Sequence, residues 1–386
     1  MNATASPEPH HDETLMREAL ALAREMLGLT SPNPAVGCLI VRDGRVVGRG
    51  ATARGGRPHA ETQALAEAGE HARGATAIVS FEPCAHQGQT PPCARALIEA
   101  GIARVVIGCT DPYPAVRGRG IAMLRRAGIE TVVGVLEQDC RRLNEGFIMR
   151  VTRGRPFALL KLAMTLDGRI AAANGDSHWV SSPASRRLVH QWRRECDAVI
   201  VGAGTVIADN PRLTCRLPGG RDPLRVVVDS RLRCPPEQRV FRQRSAAPTL
   251  LATAAEHVRR AQRRYGERTT IVGLPRSSRG LDLKRLMREL ARRGVCRVMF
   301  EGGAHLAASA LAAGIIDRVA FFLAPKILGS GMPAVDGLSA ATMRRALPVA
   351  ATTAQAVGDD WLIQGDIVTD RRRSAFAGDR SVSASA

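Results

Sequence analysis

The sequence predicts an α/β protein built as two consecutive domains. Short apolar runs that read as strands alternate with amphipathic stretches that read as helices, and such alternation defines a layered α/β architecture. The alternation breaks once, at the basic segment Thr152-Arg153-Gly154-Arg155-Pro156, and then resumes. A chain of 386 residues exceeds one ordinary core and is long enough for two.

Residues 1–12 hold Pro, Glu, His and Asp without an apolar h-region, so they read as a flexible leader and not a secretory signal. A first domain is expected over 13–150. Apolar residues at 15, 19, 22 and 26 followed by Gly28 predict a helix over 14–27. Ser31-Pro32-Asn33-Pro34 is a rigid turn. Strands at 36–41 and from Val46 flank the hairpin turn Asp43-Gly44. A helix from about His59 to Gly69, a strand over 75–81 and a helix from Cys93 to Gly101 follow. A strand over 104–107, a helix over 120–127 and a strand over 131–135 complete the series. The second domain is expected over 156–368, with strands at 157–163, 198–202, 224–228, 249–252, 295–300 and 318–323. Leu283, Leu286, Met287 and Leu290 form a helical stripe within it. The Arg-, Ser- and Ala-rich tail, 370–386, is expected to be disordered.

The net charge of +19 is nearly all arginine, since lysine occurs only at 161, 284 and 326. The arginines are dispersed and aromatics make up 3% of residues, which disfavours a base-stacking nucleic-acid surface. No apolar stretch is long enough to span a membrane, and a cytoplasmic location follows by default. Nine scattered cysteines, an odd number, do not read as a disulfide framework; most are expected to be buried small hydrophobes.

Two cysteines stand apart. Pro58-His59-Ala60-Glu61 is followed by Glu82-Pro83-Cys84 and then by Pro91-Pro92-Cys93. One imidazole and two thiolates supply three ligands for Zn2+ and leave a fourth position for water, whose pKa the metal lowers. Glu61, two residues past His59, can sit beside that water without binding metal and shuttle its proton to a ring nitrogen and leaving ammonia. Zinc deaminases carry H-x-E and then P-C-x-x-C. Here the second cysteine lies nine positions after the first, so the short form is not met.

The run 82–93, Glu-Pro-Cys-Ala-His-Gln-Gly-Gln-Thr-Pro-Pro-Cys, closely resembles the deaminase half of the bifunctional riboflavin-biosynthesis deaminase-reductases. Pro32-Asn33-Pro34-Ala35-Val36-Gly37-Cys38, Asp111-Pro112 and Asn144-Glu145-Gly146-Phe147 fit the same family, and the resemblance covers roughly 13–367. It implies a cytidine-deaminase-like three-layer domain with His59, Cys84 and Cys93 as zinc ligands and Glu61 as proton shuttle. It also implies Asn33 and His86 as substrate contacts. Gln89 departs from the family, which often has a basic residue there suited to a substrate phosphate.

In the second domain, Val201-Gly202-Ala203-Gly204-Thr205 and Glu301-Gly302-Gly303-Ala304-His305-Leu306 place glycines just after strands. Such glycines serve equally well as plain turns or as phosphate cradles, and Gly202-x-Gly204 falls short of the Rossmann fingerprint. The family resemblance implies a dihydrofolate-reductase-like domain using NADPH. By it, Ala163, Trp179, Thr205, Asp209 and Gly303, Ala304, His305 and Leu306 contact the cofactor, and Ser177, Arg193, Leu213, Arg216 and Glu301 contact a sugar phosphate. Arg193 and Arg216 suit phosphate clamps. Lys161, Asp209 and Glu301 are candidates to polarise the sugar carbon that receives hydride, with Lys161 also counted among the substrate contacts.

The expected function is thus riboflavin biosynthesis on a small phosphorylated pyrimidine. A hydrolytic deamination comes first, then NADPH-dependent reduction of the ribosyl chain to ribityl. The sequence leaves room for a homo-oligomer. A nucleic-acid-editing zinc deaminase with an appended α/β domain is the alternative favoured by the charge. A non-catalytic zinc scaffold is a second alternative, opposed by the free carboxylate of Glu61.

Overall fold

The computed structural model describes residues 9–85, 91–113 and 116–368. The chain divides into two compact units. One runs through Pro156 and includes Ala291–Cys296; the other comprises Phe157–Leu290 and continues from Arg297.

The first unit contains α1 (Pro9–Glu25), β1 (Gly37–Arg42), β2 (Arg45–Ala51), α2 (Ala60–Ala68), β3 (Thr76–Phe81), α3 (Cys93–Glu99), β4 (Arg104–Cys109), α4 (Arg119–Arg126), β5 (Glu130–Val133), α5 (Glu137–Leu143) and α6 (Glu145–Arg153). Its sheet has the order β2-β1-β3-β4-β5. The β1–β2 hairpin turns at Asp43-Gly44, both at positive φ, as the Asp-Gly pair requires. β1 runs antiparallel to β3, whereas β3, β4 and β5 are parallel. Helices α1 and α5 pack on one face and α2, α3 and α4 on the other, giving three layers.

Leu15, Met16, Ala19 and Ala23 form the buried stripe of α1. That helix begins at Pro9, so residues 9–12, expected in the leader, are helical. Asp12 explains the earlier start: buried, it accepts from both terminal nitrogens of Arg104, at 3.0 and 2.7 Å. Gly48 and Gly50 on β2 let α2 lie close, because a Cβ there would fall 2.2 and 2.1 Å from the Ala64 and Ala60 carbonyl oxygens. That approach fixes the N-terminal end of α2, which carries the zinc motif. Thr152 and Arg153, expected in a linker, belong to α6; the helix stops at Gly154, at φ 65°.

The second unit contains β6 (Phe157–Thr165), β7 (Arg169–Ala172), α7 (Pro183–Glu195), β8 (Ala198–Gly202), α8 (Ala203–Asp209), β9 (Leu224–Val228), α9 (Arg239–Arg242), β10 (Thr249–Ala254), α10 (Val258–Tyr265) and β11 (Thr269–Leu274). It continues through the short pair β12 (Arg276–Ser277) and β13 (Gly280–Leu281), then α11 (Leu283–Arg292), β14 (Arg297–Glu301), α12 (Ala304–Ala312), β15 (Arg318–Ala324), β16 (Gly331–Pro333), β17 (Val349–Val357) and β18 (Asp360–Ile367). Nine strands form one sheet in the order β11-β10-β9-β8-β14-β6-β15-β18-β17. Its first seven strands are parallel and the last two antiparallel. The chain winds outward from β8 to β11, returns to insert β14 between β8 and β6, and then adds β15 beyond β6. A crevice forms at the carboxyl ends of strands where the winding reverses, which is where open α/β sheets bind ligands.

The six strands expected in this unit are all present, 198–202 and 224–228 with the expected ends and the other four with shifted ones. The sequence reading missed β17, an edge strand of small and polar residues exposed along most of its length, and α7, whose apolar stripe is thin among arginines. The tail over 370–386 lies outside the described residues.

Asn144 shows what the Asn-Glu-Gly-Phe motif does for the fold. Its buried side chain accepts from the Ala35 N–H and donates to the Ala35 carbonyl, both at 2.9 Å, pinning the loop that bears Asn33. Replacing it strands a buried donor and acceptor. Asn144→Ala is expected to cost about 2–4 kcal/mol, read as a lowered calorimetric midpoint.

Candidate active sites

The zinc motif assembles from three elements of the first unit. His59 is the N-cap of α2, in extended backbone, and Glu61 lies in that helix's first turn, buried. Cys84 follows the end of β3, and Cys93 is the first residue of α3. Glu82, two residues before Cys84, ties the end of β3 to the segment running from β4 into α4. Its carboxylate accepts N–H groups from Asp111 at 3.1 Å, Gly118 at 3.0 Å and Gly120 at 3.1 Å. Cys93 N–H donates to the Cys84 sulfur at 3.3 Å.

The ligand atoms of His59, Cys84 and Cys93 all lie within 4.8 Å of one another. The His59 Nδ1 is 3.2 Å from Cys93 Sγ and 3.8 Å from Cys84 Sγ. Those separations bracket the N···S edge of about 3.5 Å expected of a zinc tetrahedron with ordinary bond lengths. The electrostatics point the same way. The hydrogen bond with Cys93, and then His59, hold the Cys84 thiol down at about 4. Cys93 is pushed far up by its contact with Cys84, by burial and by Glu61. Burial raises Glu61 above the usual carboxylate range. Two sulfurs and a carboxyl crowded together cannot all ionise without a cation, and a divalent metal is the cation this donor set fits.

Asn33 lies on the loop before β1 and donates from Nδ2 to the Gly56 carbonyl at 3.4 Å, against the segment leading into His59. His86 and Gln89 lie outside the described residues. The seven cysteines other than Cys84 and Cys93 are buried, as expected of small hydrophobes.

Every residue expected at the second site lines one cavity of about 1060 Å³ in the second unit. Lys161 and Ala163 come from β6, and Glu301 from the end of β14. Thr205 and Asp209 come from α8, Leu213 and Arg216 from the segment after it. Ser177 and Trp179 come from the loop before α7, and Gly303 to Leu306 from the start of α12. Gly302 and Gly303 have φ of 67° and 78°, and a Cβ on either would approach the Thr205 hydroxyl at 3.4 or 3.1 Å. This pair therefore needs glycine, and it lies just before the N-terminus of α12, an end whose unpaired N–H groups suit an anionic group.

Lys161 and Glu301 are paired residues on adjacent parallel strands, so their side chains leave the same face side by side. Glu301 accepts from Arg193 Nε at 2.6 Å and Nη2 at 2.7 Å, while Nη1 donates to the Thr214 carbonyl at 3.1 Å. The expectation of Arg193 as a free phosphate clamp is narrowed accordingly: its fork is committed to Glu301. Burial lowers Lys161, opposed by the Glu301 charge. Burial raises Asp209. The sequence reading missed Arg186 and His190, which line the cavity from α7. The signal was their spacing with Val189 and Arg193, three or four residues apart on one helical face.

Comparison with known proteins agrees with both halves. The cytidine and deoxycytidylate deaminase zinc-binding region matches residues 9–109, and the RibD C-terminal domain matches 156–363. The riboflavin biosynthesis protein RibD of Synechocystis is 46% identical over 363 residues, 92% of this chain and 96% of that one. The Escherichia coli K12 protein of the same name is 41% identical, over 85% of this chain and 92% of its own. The crystal structure of a diaminohydroxyphosphoribosylaminopyrimidine deaminase/5-amino-6-(5-phosphoribosylamino)uracil reductase from Thermotoga maritima superposes with a TM-score of 0.84 at 37% identity. That match covers 93% of this chain and 99% of that one.

A cytidine-deaminase-type zinc domain followed by a dihydrofolate-reductase-like domain defines a bifunctional deaminase-reductase. The chain belongs to the RibD family and is an enzyme of riboflavin biosynthesis. The nucleic-acid-editing alternative is not favoured, since the second half is a RibD reductase domain.

The Arg193–Glu301 pair is nearly buried, with side chains 12% and 10% exposed. Burial alone would raise Glu301, but the Arg193 charge and hydrogen bonds outweigh it and hold the carboxyl below the usual range. Removing either partner is expected to cost about 3–5 kcal/mol, and removing both less than the sum. The contribution of Glu301 is complete above the ordinary carboxylate range and fades as pH falls through its lowered value. Calorimetric midpoints of Arg193→Ala, Glu301→Ala and the double variant, taken from pH 7 downward, check both statements.

Proposed function

We propose that the first domain hydrolyses the ring amino group of 2,5-diamino-6-(5-phosphoribosylamino)pyrimidin-4(3H)-one. The second domain then reduces the ribosyl side chain of the product to ribityl with NADPH. The observation that carries this reading is the convergence of His59, Cys84 and Cys93 with Glu61 buried beside them and outside the donor set. His59, Cys84 and Cys93 would hold Zn2+, which supplies the Lewis acidity that turns water into a nucleophile near neutral pH. Glu61 takes one proton from the attacking water and hands it to the ring nitrogen, then takes the second from the new C–OH and hands it to the amino group, which leaves as ammonia. Its burial raises the carboxyl and makes it the stronger base, which suits a group that must take a proton from water. Asn33 and His86 orient the pyrimidine.

In the second domain, the nicotinamide cofactor would supply hydride to the sugar carbon. Ala163, Trp179, Thr205, Asp209 and the stretch Gly303 to Leu306 seat it, and the glycine pair at the start of α12 suits its phosphates. Ser177, Leu213 and Arg216 hold the sugar phosphate. Arg193 acts by holding Glu301, and Lys161, Glu301 and Asp209 polarise the carbon that receives hydride. No step of this reading involves nucleic acid, and the reading takes the enzyme as cytoplasmic by default.

The test is to incubate the purified full chain with the diaminopyrimidinone phosphate with and without NADPH. Ammonia alone is expected without the cofactor, and ammonia together with NADPH oxidation with it. NADPH oxidation without ammonia release from this substrate would contradict the order of steps. Glu61→Gln is expected to lower ammonia release by at least a hundredfold while zinc content, read by elemental analysis, stays stoichiometric. Loss of the metal in that variant would count against the shuttle role.

A further inference from the structure

Three consecutive residues of the segment between α8 and β9 hang on one turn of α7. The Arg193 guanidinium donates to the Thr214 carbonyl at 3.1 Å. The Cys215 thiol donates to the His190 carbonyl at 3.4 Å. The Arg216 backbone N–H donates to His190 Nδ1 at 3.3 Å. His190 and Arg193, three residues apart on the helix, both line the cavity, as does Arg216.

A ring that accepts at Nδ1 is a neutral imidazole with its proton on Nε2. The surroundings enforce that state. Burial, then the charges of Arg193 and Arg216, push His190 down to about 4, against Glu301 and the Thr214 backbone. An imidazolium could not accept from Arg216 and would add a cation among arginines. The Arg216 guanidinium itself is pressed by burial and by the like charges of Arg193 and Arg212, with Glu301 opposing. A cation in that position is suited to an incoming anion, provided that its backbone is held still.

We propose that His190 is a positioning residue of the reductase site. Its neutral ring anchors the Arg216 backbone, so that the Arg216 guanidinium stands at the cavity wall to receive the substrate phosphate. The inference rests on the reading of Arg216 as the phosphate contact. The anchor matters because arginine carries a long stem with several rotatable bonds, and a fixed starting point limits where the guanidinium can reach. A phosphate met by a held guanidinium is bound with less ordering cost than one met by a mobile loop.

The test measures binding by calorimetry, on the full chain without cofactor. The probes are 5-amino-6-(5-phosphoribosylamino)uracil and its dephosphorylated counterpart; KM and kcat are then measured with NADPH. His190→Ala is expected to weaken the phosphorylated ligand about five- to tenfold, the weight of one hydrogen bond, and to leave the dephosphorylated one unchanged. KM should rise while kcat stays within about twofold. His190→Asn, whose Oδ1 can accept from the same N–H, should restore affinity. His190→Ala should add nothing in an Arg216→Ala background. If alanine does not fold, His190→Leu keeps the bulk and removes the acceptor. Equal weakening of both ligands, no rescue by asparagine, or full additivity with Arg216→Ala overturns the inference. If Arg216→Ala keeps its preference for the phosphorylated ligand, the reading of Arg216 fails first, and the inference falls with it.

Discussion

Charge of one sign crowded into a poorly solvated space must find charge of the other sign, and both sites are built on that constraint. In the first domain two sulfurs and a carboxyl close on a single imidazole, so protons remain where a divalent cation would displace them. In the second, the countercharge is internal. Glu301 takes both arms of Arg193 and stands beside Lys161 across the strand pair. One site calls for a metal because its own cations do not suffice; the other neutralises its buried carboxylate internally and keeps further cations, Arg186 and Arg216 among them, along the cavity wall.

Backbone geometry brings these groups together. In the first domain, β1, β2 and β3 aim their neighbouring loops at the N-terminal ends of α2 and α3, where His59 and Cys93 begin their helices. The glycines of β2 let α2 come close enough for this. In the second, the chain leaves β14 between β8 and β6 and opens a crevice at their carboxyl ends. Lys161 and Glu301 meet there because parallel pairing puts them in register. The glycine pair after β14 lines the same space, at the start of α12.

The arginine excess takes on a specific meaning in this setting. Arg104 bridges Asp12 and Glu130, Arg318 meets Asp366, and Arg193 is held by Glu301. Some of the arginines are thus structural, pairing with Asp12 and Glu301, which would otherwise be buried alone. This is a reason why composition alone pointed weakly toward nucleic acid.

Much of the fold and of the zinc site was legible in the sequence. The strands of the first sheet and most of those of the second declare themselves as apolar runs, and the hairpin at Asp43-Gly44 is a local matter of turn chemistry. His59, Glu61, Cys84 and Cys93 could be picked out because zinc chemistry demands those residue types and the flanking prolines mark where elements begin. What stayed hidden depended on partners distant in the chain. Helix α7 carries too thin an apolar stripe to announce itself, and the exposed edge strand β17 has no buried face to set a pattern. His190 acquires a role only when Arg216 is folded against it, and Arg193 proved to be the partner of Glu301 because the sheet brings β14 to α7. Residue chemistry and local periodicity are written along the chain, so the sequence by itself determined most of the element types and singled out the group His59, Cys84 and Cys93 that the fold brings together. Which charge neutralises which is decided by distances between strands and helices, and only the tertiary structure sets those.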